Sequence, residues 1–79
     1  MNLFNGIRSY IQESDTKIII INNKINIINY KDIISFDSNI VIIKLDKKNI
    51  IIKGEDLVVS KLMNDEVLIT GVFKNIEFR

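Results

Sequence analysis

Chemistry at a protein site needs a base, a nucleophile or a set of metal ligands, and this chain offers few of them. Serines stand at Ser9, Ser14, Ser35, Ser38 and Ser60, but there is no histidine and no cysteine anywhere. A Ser-His pair, a Cys-His pair and any histidine general base are therefore excluded. So are zinc sites built from thiolate or imidazole, and disulfides. Carboxylates occur close together at Glu13/Asp15 and at Glu55/Asp56. An acid-base pair needs a cleft that drives two pKa values apart, whereas near neighbours in a turn are solvated. The triplet Asp37-Ser38-Asn39 lacks the remaining ligands of a calcium loop. Gly6, Gly54 and Gly71 are far apart, and none opens a phosphate-binding pattern. Tyr10, Tyr30 and the four phenylalanines are not interleaved with basic residues, as a stacking platform for single strands would require. The expectation is a protein that is not an enzyme, with no catalytic residue, no metal and no cofactor.

Charge gives the same kind of answer. Eleven Lys/Arg against ten Asp/Glu make a net charge of +1, without the basic footprint expected of a nucleic-acid binder. Lys47 and Lys48 form the only adjacent basic pair and follow Asp46, which reads as a solvated turn. No uninterrupted apolar run is longer than Ile18-Ile19-Ile20-Ile21, and a spanning helix needs about 20 apolar residues. The start, Met1-Asn2-Leu3-Phe4-Asn5-Gly6, lacks the basic region and small-residue cleavage site of a signal peptide. A cytoplasmic protein without a membrane span is expected.

These side chains must be carried by one small domain, since 79 residues fall below the usual size of even a single one. Chains this short rarely gain enough stability from one core without a staple. With disulfides and Cys/His metal sites gone, an unusually apolar core, self-association or a partner remains. Nineteen isoleucines serve any of these. The joint excess of Ile, Asn and Lys is also what an A+T-rich genome favours.

From residue 17 onward, short β-branched runs alternate with turn residues. The runs are 17–21, 24–30, 33–36, 40–45, 49–53, 57–62, 66–70 and 72–78. The gaps hold Asn22-Asn23, Lys31-Asp32, Asp37-Ser38-Asn39, Asp46-Lys47-Lys48, Gly54-Glu55-Asp56, Asn64-Asp65 and Gly71. Asn and Asp tolerate left-handed conformations, so such gaps are hairpin material. The pattern predicts an all-β fold: a small antiparallel β-sandwich or roll of seven or eight short strands over residues 16–79. A β-solenoid is the second choice, from a loose echo of residues 20–28 in 43–51.

Residues 1–15 behave differently. Leu3, Phe4, Ile7 and Ile11 recur at three- and four-residue spacing, which predicts a short amphipathic helix over residues 2–14. Three turns are marginal alone, so the helix needs a surface, either its own sheet or a partner. The runs 40–45 and 50–52 are apolar at successive positions, hence on both strand faces. So small a domain has little to cover a second face, and exposed apolar patches mark partner sites. Leu3, Phe4, Ile7, Ile11, Ile40, Ile42 and Ile51 are accordingly the expected interaction surface.

Several segments, taken in order, carry a resemblance. They are Ile33-Ile34-Ser35-Phe36-Asp37, Ile40-Val41-Ile42 and Asn49-Ile50-Ile51-Ile52-Lys53-Gly54-Glu55-Asp56-Leu57. Lys61-Leu62, Val67-Leu68-Ile69-Thr70-Gly71 and Ile76-Glu77-Phe78 follow. Together they resemble the YabP/YqfC family of sporulation proteins. Asn26-Ile27-Ile28-Asn29-Tyr30-Lys31-Asp32-Ile33 leans to the YqfC branch, with Asn22 or Asn23 and Asp32 standing where that branch usually has glycines. At the matched positions, Gly54 and Gly71 read as places for positive φ or a bulge. Leu57 and Leu62 read as core anchors, and Phe36, Ile76 and Phe78 as residues of the closing core. The resemblance implies a non-enzymatic protein of endospore-forming bacteria, made in the mother cell and acting in spore morphogenesis or coat assembly. It also implies a membrane-associated partner; the apolar excess adds a second copy of the chain, and the alternative reading of function is a self-polymerising structural subunit, a filament or coat layer.

Overall fold

A computed structural model of the chain describes residues 8–13, by their backbone, and residues 16–79. Seven strands follow one another: β1 (Arg8–Glu13), β2 (Thr16–Ile21), β3 (Lys24–Ile28), β4 (Asp32–Phe36), β5 (Ile40–Lys44), β6 (Asn49–Leu62) and β7 (Glu66–Phe78). All neighbours are antiparallel, in the order β1-β2-β3-β7-β6-β5-β4. The fold is all-β, as the turn spacing predicts. It is one continuous sheet, however, and not the two sheets of a sandwich. Hairpin connections, without stacked parallel coils, also rule out the solenoid.

Two strands are long where four short ones were expected. The runs 49–53 and 57–62 fuse in β6, and 66–70 and 72–78 fuse in β7. Their shared ladder slips at Lys53/Gly54, Glu55/Val58 and Val59/Lys61, so each extra residue is absorbed as a bulge. Asp56 at φ 54° and Gly71 at φ 143° turn the backbone in place. The hydrogen-bonding groups freed at the slip find partners in the β4–β5 loop. Gly54 N–H donates to the Asn39 carbonyl at 3.0 Å, and Leu57 N–H to the Ser38 carbonyl at 2.9 Å. Satisfied in this way, the chain bends without leaving the sheet.

The bend lets one sheet bury itself. β3 pairs with residues 66–70 of β7, and β5 with residues 49–53 of β6. The two halves of the sheet meet on a single core of Ile18, Ile25, Ile27, Val41, Ile43, Leu45, Ile50, Ile52, Leu57, Val67 and Ile69. The strand period of two selects them: Ile25 opposes Ile69, Ile27 opposes Val67, and Val41 opposes Ile52. Burying one such side chain is worth about 1.5–3 kcal/mol, which is how a 79-residue chain does without a staple. Thr16 is the one buried polar residue among those described, and its hydroxyl donates to the Asn29 carbonyl at 3.2 Å.

The helix expected over residues 2–14 is not what Arg8–Glu13 form. They are β1, laid along β2 with Ile11 opposite Ile18. A three-turn helix is marginal in water, whereas the uncovered edge of β2 offers a full row of backbone partners. Leu3, Phe4 and Ile7 lie outside the described residues. Asn22-Asn23 closes the β2–β3 hairpin as the sequence predicts, with Asn22 at φ 52°.

Candidate protein-interaction surface

Of the residues that looked chemically able, Glu55, Asp37, Ser38 and Ser60 make side-chain contacts within the sheet and its loops. Among the described residues, no group of three or more Asp, Glu, His or Cys could hold a metal ion. Glu55 is engaged by Lys74 across the β6–β7 ladder at 2.7 Å, and the Lys74 hydrogen bond and charge lower its pKa. Asp37 accepts the Ser38 N–H at 2.7 Å, and the Ser38 hydroxyl donates to Asn39 Oδ1 at 2.9 Å. This triplet is a brace, since its carbonyls hold the corner of β6. Nothing in the sequence marked it for that role, which depends on a partner strand distant along the chain.

Six large apolar side chains remain exposed among the described residues, and most of them stand where strands run out of neighbours. β5 covers only the first part of β6, so residues 58–62 have β7 on one side and no described strand on the other. β4 likewise has only β5. The two open edges meet in a shallow cleft of about 220 Å³ lined by Ile33, Phe36, Val59 and Leu62. Ile33 and Val59 pack against the core at its floor. Phe36 and Leu62 form its walls and are 70% and 59% exposed.

This placement corrects the reading of Phe36 and Leu62 as core residues. Both sit at the end of an edge segment, where no further described strand closes over them. Leu57 is buried as expected of an anchor, and Ile76 and Phe78 are half-buried against the core. Of the six large apolar side chains exposed among the described residues, Ile34, Phe36, Val58, Leu62 and Met63 lie on or beside these two edges. Of these, Phe36 and Leu62 share the cleft, whereas Val58 follows the strand alternation away from Val59. Bulges at Ile33/Ser35 and Val59/Lys61 interrupt both edges. They blunt strand addition, so the cleft is suited to receive side chains.

The expected surface residues Ile40, Ile42 and Ile51 come together on the outer face of β5–β6. Ile42 stands directly opposite Ile51, and Ile40 opposite Lys53. All three are half-buried. Exposed Lys44 and Lys53 flank them. Lys53 Nζ lies 3.6 Å from Glu77, which also receives Arg79 at 3.0 Å. Ile11 is on β1, at the opposite margin of the sheet, and does not join this face.

Glu77 is therefore an ion pair with a readable signature. The Arg79 hydrogen bond and charge, with a lesser share from Lys53, hold its carboxyl below the ordinary range. A depressed acid stabilises the fold above its unfolded pKa and loses that contribution as pH falls through the folded value. In Arg79→Gln the Glu77 titration, followed by carboxyl NMR, should move up toward the ordinary value. The acid limb of the stability profile should flatten slightly with it. An unmoved titration would show that the pair does not form in solution.

A third apolar area lies on the outer face of β2, β3 and β7, where Ile19, Ile21, Lys24, Asn26 and Leu68 line a depression of about 380 Å³. Asn26 Nδ2 donates to Glu66 at 2.8 Å, while its buried Oδ1 has no hydrogen-bond partner. Sequence reasoning placed Asn26 inside the run 24–30 and in the segment that carries the resemblance, and gave its side chain no role of its own. No described helix is long and apolar enough to cross a membrane.

Fold and surface together define a small, single-sheet β protein whose open edges and outer faces carry apolar side chains. The YabP family model matches residues 12–79, and the chain belongs to this sporulation-associated family. The match is to the family as a whole and does not single out the YqfC branch. No curated protein and no solved structure matches the chain.

Proposed function

We propose that this YabP-family chain is a non-enzymatic assembly factor of spore morphogenesis or coat assembly, acting in the mother cell through protein–protein contacts. The observation that carries this reading is the cleft between β4 and the end of β6, where exposed Phe36 and Leu62 wall an apolar depression. A chain of 79 residues with so large a burial requirement gains nothing for its own stability from a phenylalanine left in water. Contact with a partner removes that cost. The partner is a second copy of the chain or a membrane-associated sporulation protein, and the family resemblance, leaning to the YqfC branch, supports the latter.

The test is a Phe36→Ser/Leu62→Ser chain introduced in place of the native one in a sporulating host. Both positions are exposed, so stability should stay within about 1 kcal/mol of the parent. Accumulation of the chain should be normal while the yield of heat-resistant spores drops to that of the deletion. A wild-type spore yield from the doubly substituted chain would refute the reading.

A further inference from the structure

Four stretches of strand edge are open among the described residues, and they are not alike. β4 has only β5 beside it, and its ladder slips at Ile33/Ser35. Residues 58–62 of β6 have only β7, and that ladder slips at Val59/Lys61. Residues 72–78 of β7 have only β6, with a slip at Lys53/Gly54. β1, at the other margin of the sheet, is uninterrupted. It runs along β2 in six consecutive pairs, from Arg8 opposite Ile21 to Glu13 opposite Thr16. It holds no proline and no glycine, and its central residues, Ser9-Tyr10-Ile11-Gln12, carry no charge. Bulges, prolines and central charges are the usual protections of an edge against a further strand. β1 has none of them, while every second residue along it turns its N–H and C=O away from β2.

A strand can join such an edge, and the order of residues in β1 suits a second copy of itself. Antiparallel pairing of two copies is generated by a two-fold axis normal to the sheet, which keeps like faces together. Residues of the same strand face then stand opposite one another, so one residue lies on the axis beside its own counterpart. With Ile11 on the axis, Tyr10 stands opposite Gln12 and Ser9 opposite Glu13, and no like charges meet. Ile11 is also the last rung of an apolar row, Ile11–Ile18–Ile27–Val67, set by the registers of β1, β2, β3 and β7. Ile18, Ile27 and Val67 are buried, so an isoleucine pair on the axis carries that row from one copy into the next. Charge selects the direction. Arg8 and Glu13 close opposite ends of β1, and the antiparallel arrangement sets the Arg8 end of each copy at the Glu13 end of the other. A parallel arrangement would set arginine by arginine and glutamate by glutamate.

We propose that β1 is a dimerisation strand: two copies pair antiparallel along β1, with Ile11 of each on a shared two-fold axis, and join their sheets into one. The contact is isologous and uses the open β1 edge of both copies, so it closes at two. It rests on the assembly reading only in naming a second copy as partner, and it lies at the sheet margin opposite to β4.

Sedimentation equilibrium and hydrogen exchange on the full chain test it. The mass should rise with concentration from the 9.2 kDa of one chain and level off at twice that value. Over the same range, exchange of the outward amides of β1 should slow by at least about tenfold, because a backbone partner then covers them. Ile11→Lys and Ile11→Glu each put like charges opposite one another on the axis, so each alone should stay at monomer mass. Their equimolar mixture pairs lysine with glutamate and should regain the dimer, a rescue that unfolded variants could not give. A parent that stays monomeric, β1 amides whose exchange ignores concentration, a lysine variant that dimerises, or a mixture that stays monomeric would each overturn the proposal. A monomeric parent together with a spore defect in Phe36→Ser/Leu62→Ser would remove this dimer and leave the cleft standing as the contact surface.

Discussion

Alanine at position 54 is expected to be the most damaging single-methyl change in the molecule. Gly54 is buried where β6 bends, and a Cβ there would collide with the backbone carbonyl of Val72 and sit 3.1 Å from Leu57 Cδ2. A backbone oxygen has no rotamer through which to move aside. Relief must come from opening the Lys53/Gly54 bulge, which would pull Gly54 N–H from the Asn39 carbonyl. Overpacking plus a strained or broken backbone bond costs about 3 kcal/mol or more. At about 0.05–0.15 kcal/mol per residue, the whole chain holds only about 4–12 kcal/mol. Urea denaturation followed by circular dichroism should show a midpoint lowered by about a quarter or more of its value, or no cooperative transition. Gly71→Ala meets a related obstacle: φ is 143°, and the new Cβ would lie 2.7 Å from the Asp56 carbonyl oxygen and 2.9 Å from Leu57 Cδ2. A Gly54→Ala chain within about 1 kcal/mol of the parent would mean that the bulge is not packed as described.

Those glycines also mark where sequence reading goes astray. Gly54-Glu55-Asp56 and Gly71 look like gaps between strands, and glycine does announce an unusual φ or a close approach. It does not say whether the chain leaves the sheet at that point or bends within it. Here the decision lies with Asn39 and Ser38, whose carbonyls take up the freed N–H groups from a loop that precedes the bend by some fifteen residues. The Asn22-Asn23 hairpin, by contrast, is wholly local: both strands and the left-handed Asn22 are adjacent in the chain. It was therefore legible. The same distinction explains β1. Apolar spacing at residues 3, 4, 7 and 11 reports what a helix would present, yet the open edge of β2 is invisible until the sheet order is known.

The candidate surface divides along the same line. Apolar runs on both faces of residues 40–45 and 50–52 announce an outer face, and Ile40, Ile42 and Ile51 are indeed found together on it. Phe36 and Leu62 read as core because large apolar residues in strands usually are. Their exposure follows from sheet order, which ends the β5 ladder before residue 58 and leaves β4 at the margin. No local pattern carries that information.

Residues 40–43 furnish the second large effect, because an uninterrupted apolar run hides which side faces in. Sequence alone leaves Ile-Val-Ile-Ile symmetric, and a one-residue slip of register would exchange its faces. The structure breaks the symmetry: Val41 and Ile43 are at 1% and 0% exposure, while Ile40 and Ile42 are half-buried on the outside. Ile43 opposes Ile33 on one side and Ile50 on the other, inside the core. Ile43→Ala therefore leaves a cavity among residues that cannot all collapse onto it, at a cost of about 3–4 kcal/mol. Ile42→Ala strips methyl groups that water already reaches, and should cost about 1 kcal/mol or less. The difference between the neighbouring substitutions, measured by urea denaturation at low protein concentration so that self-association does not contribute, should be at least about 2 kcal/mol. Equal losses would mean that both faces are covered, and a larger loss at Ile42 would mean that β5 is docked one residue out of register.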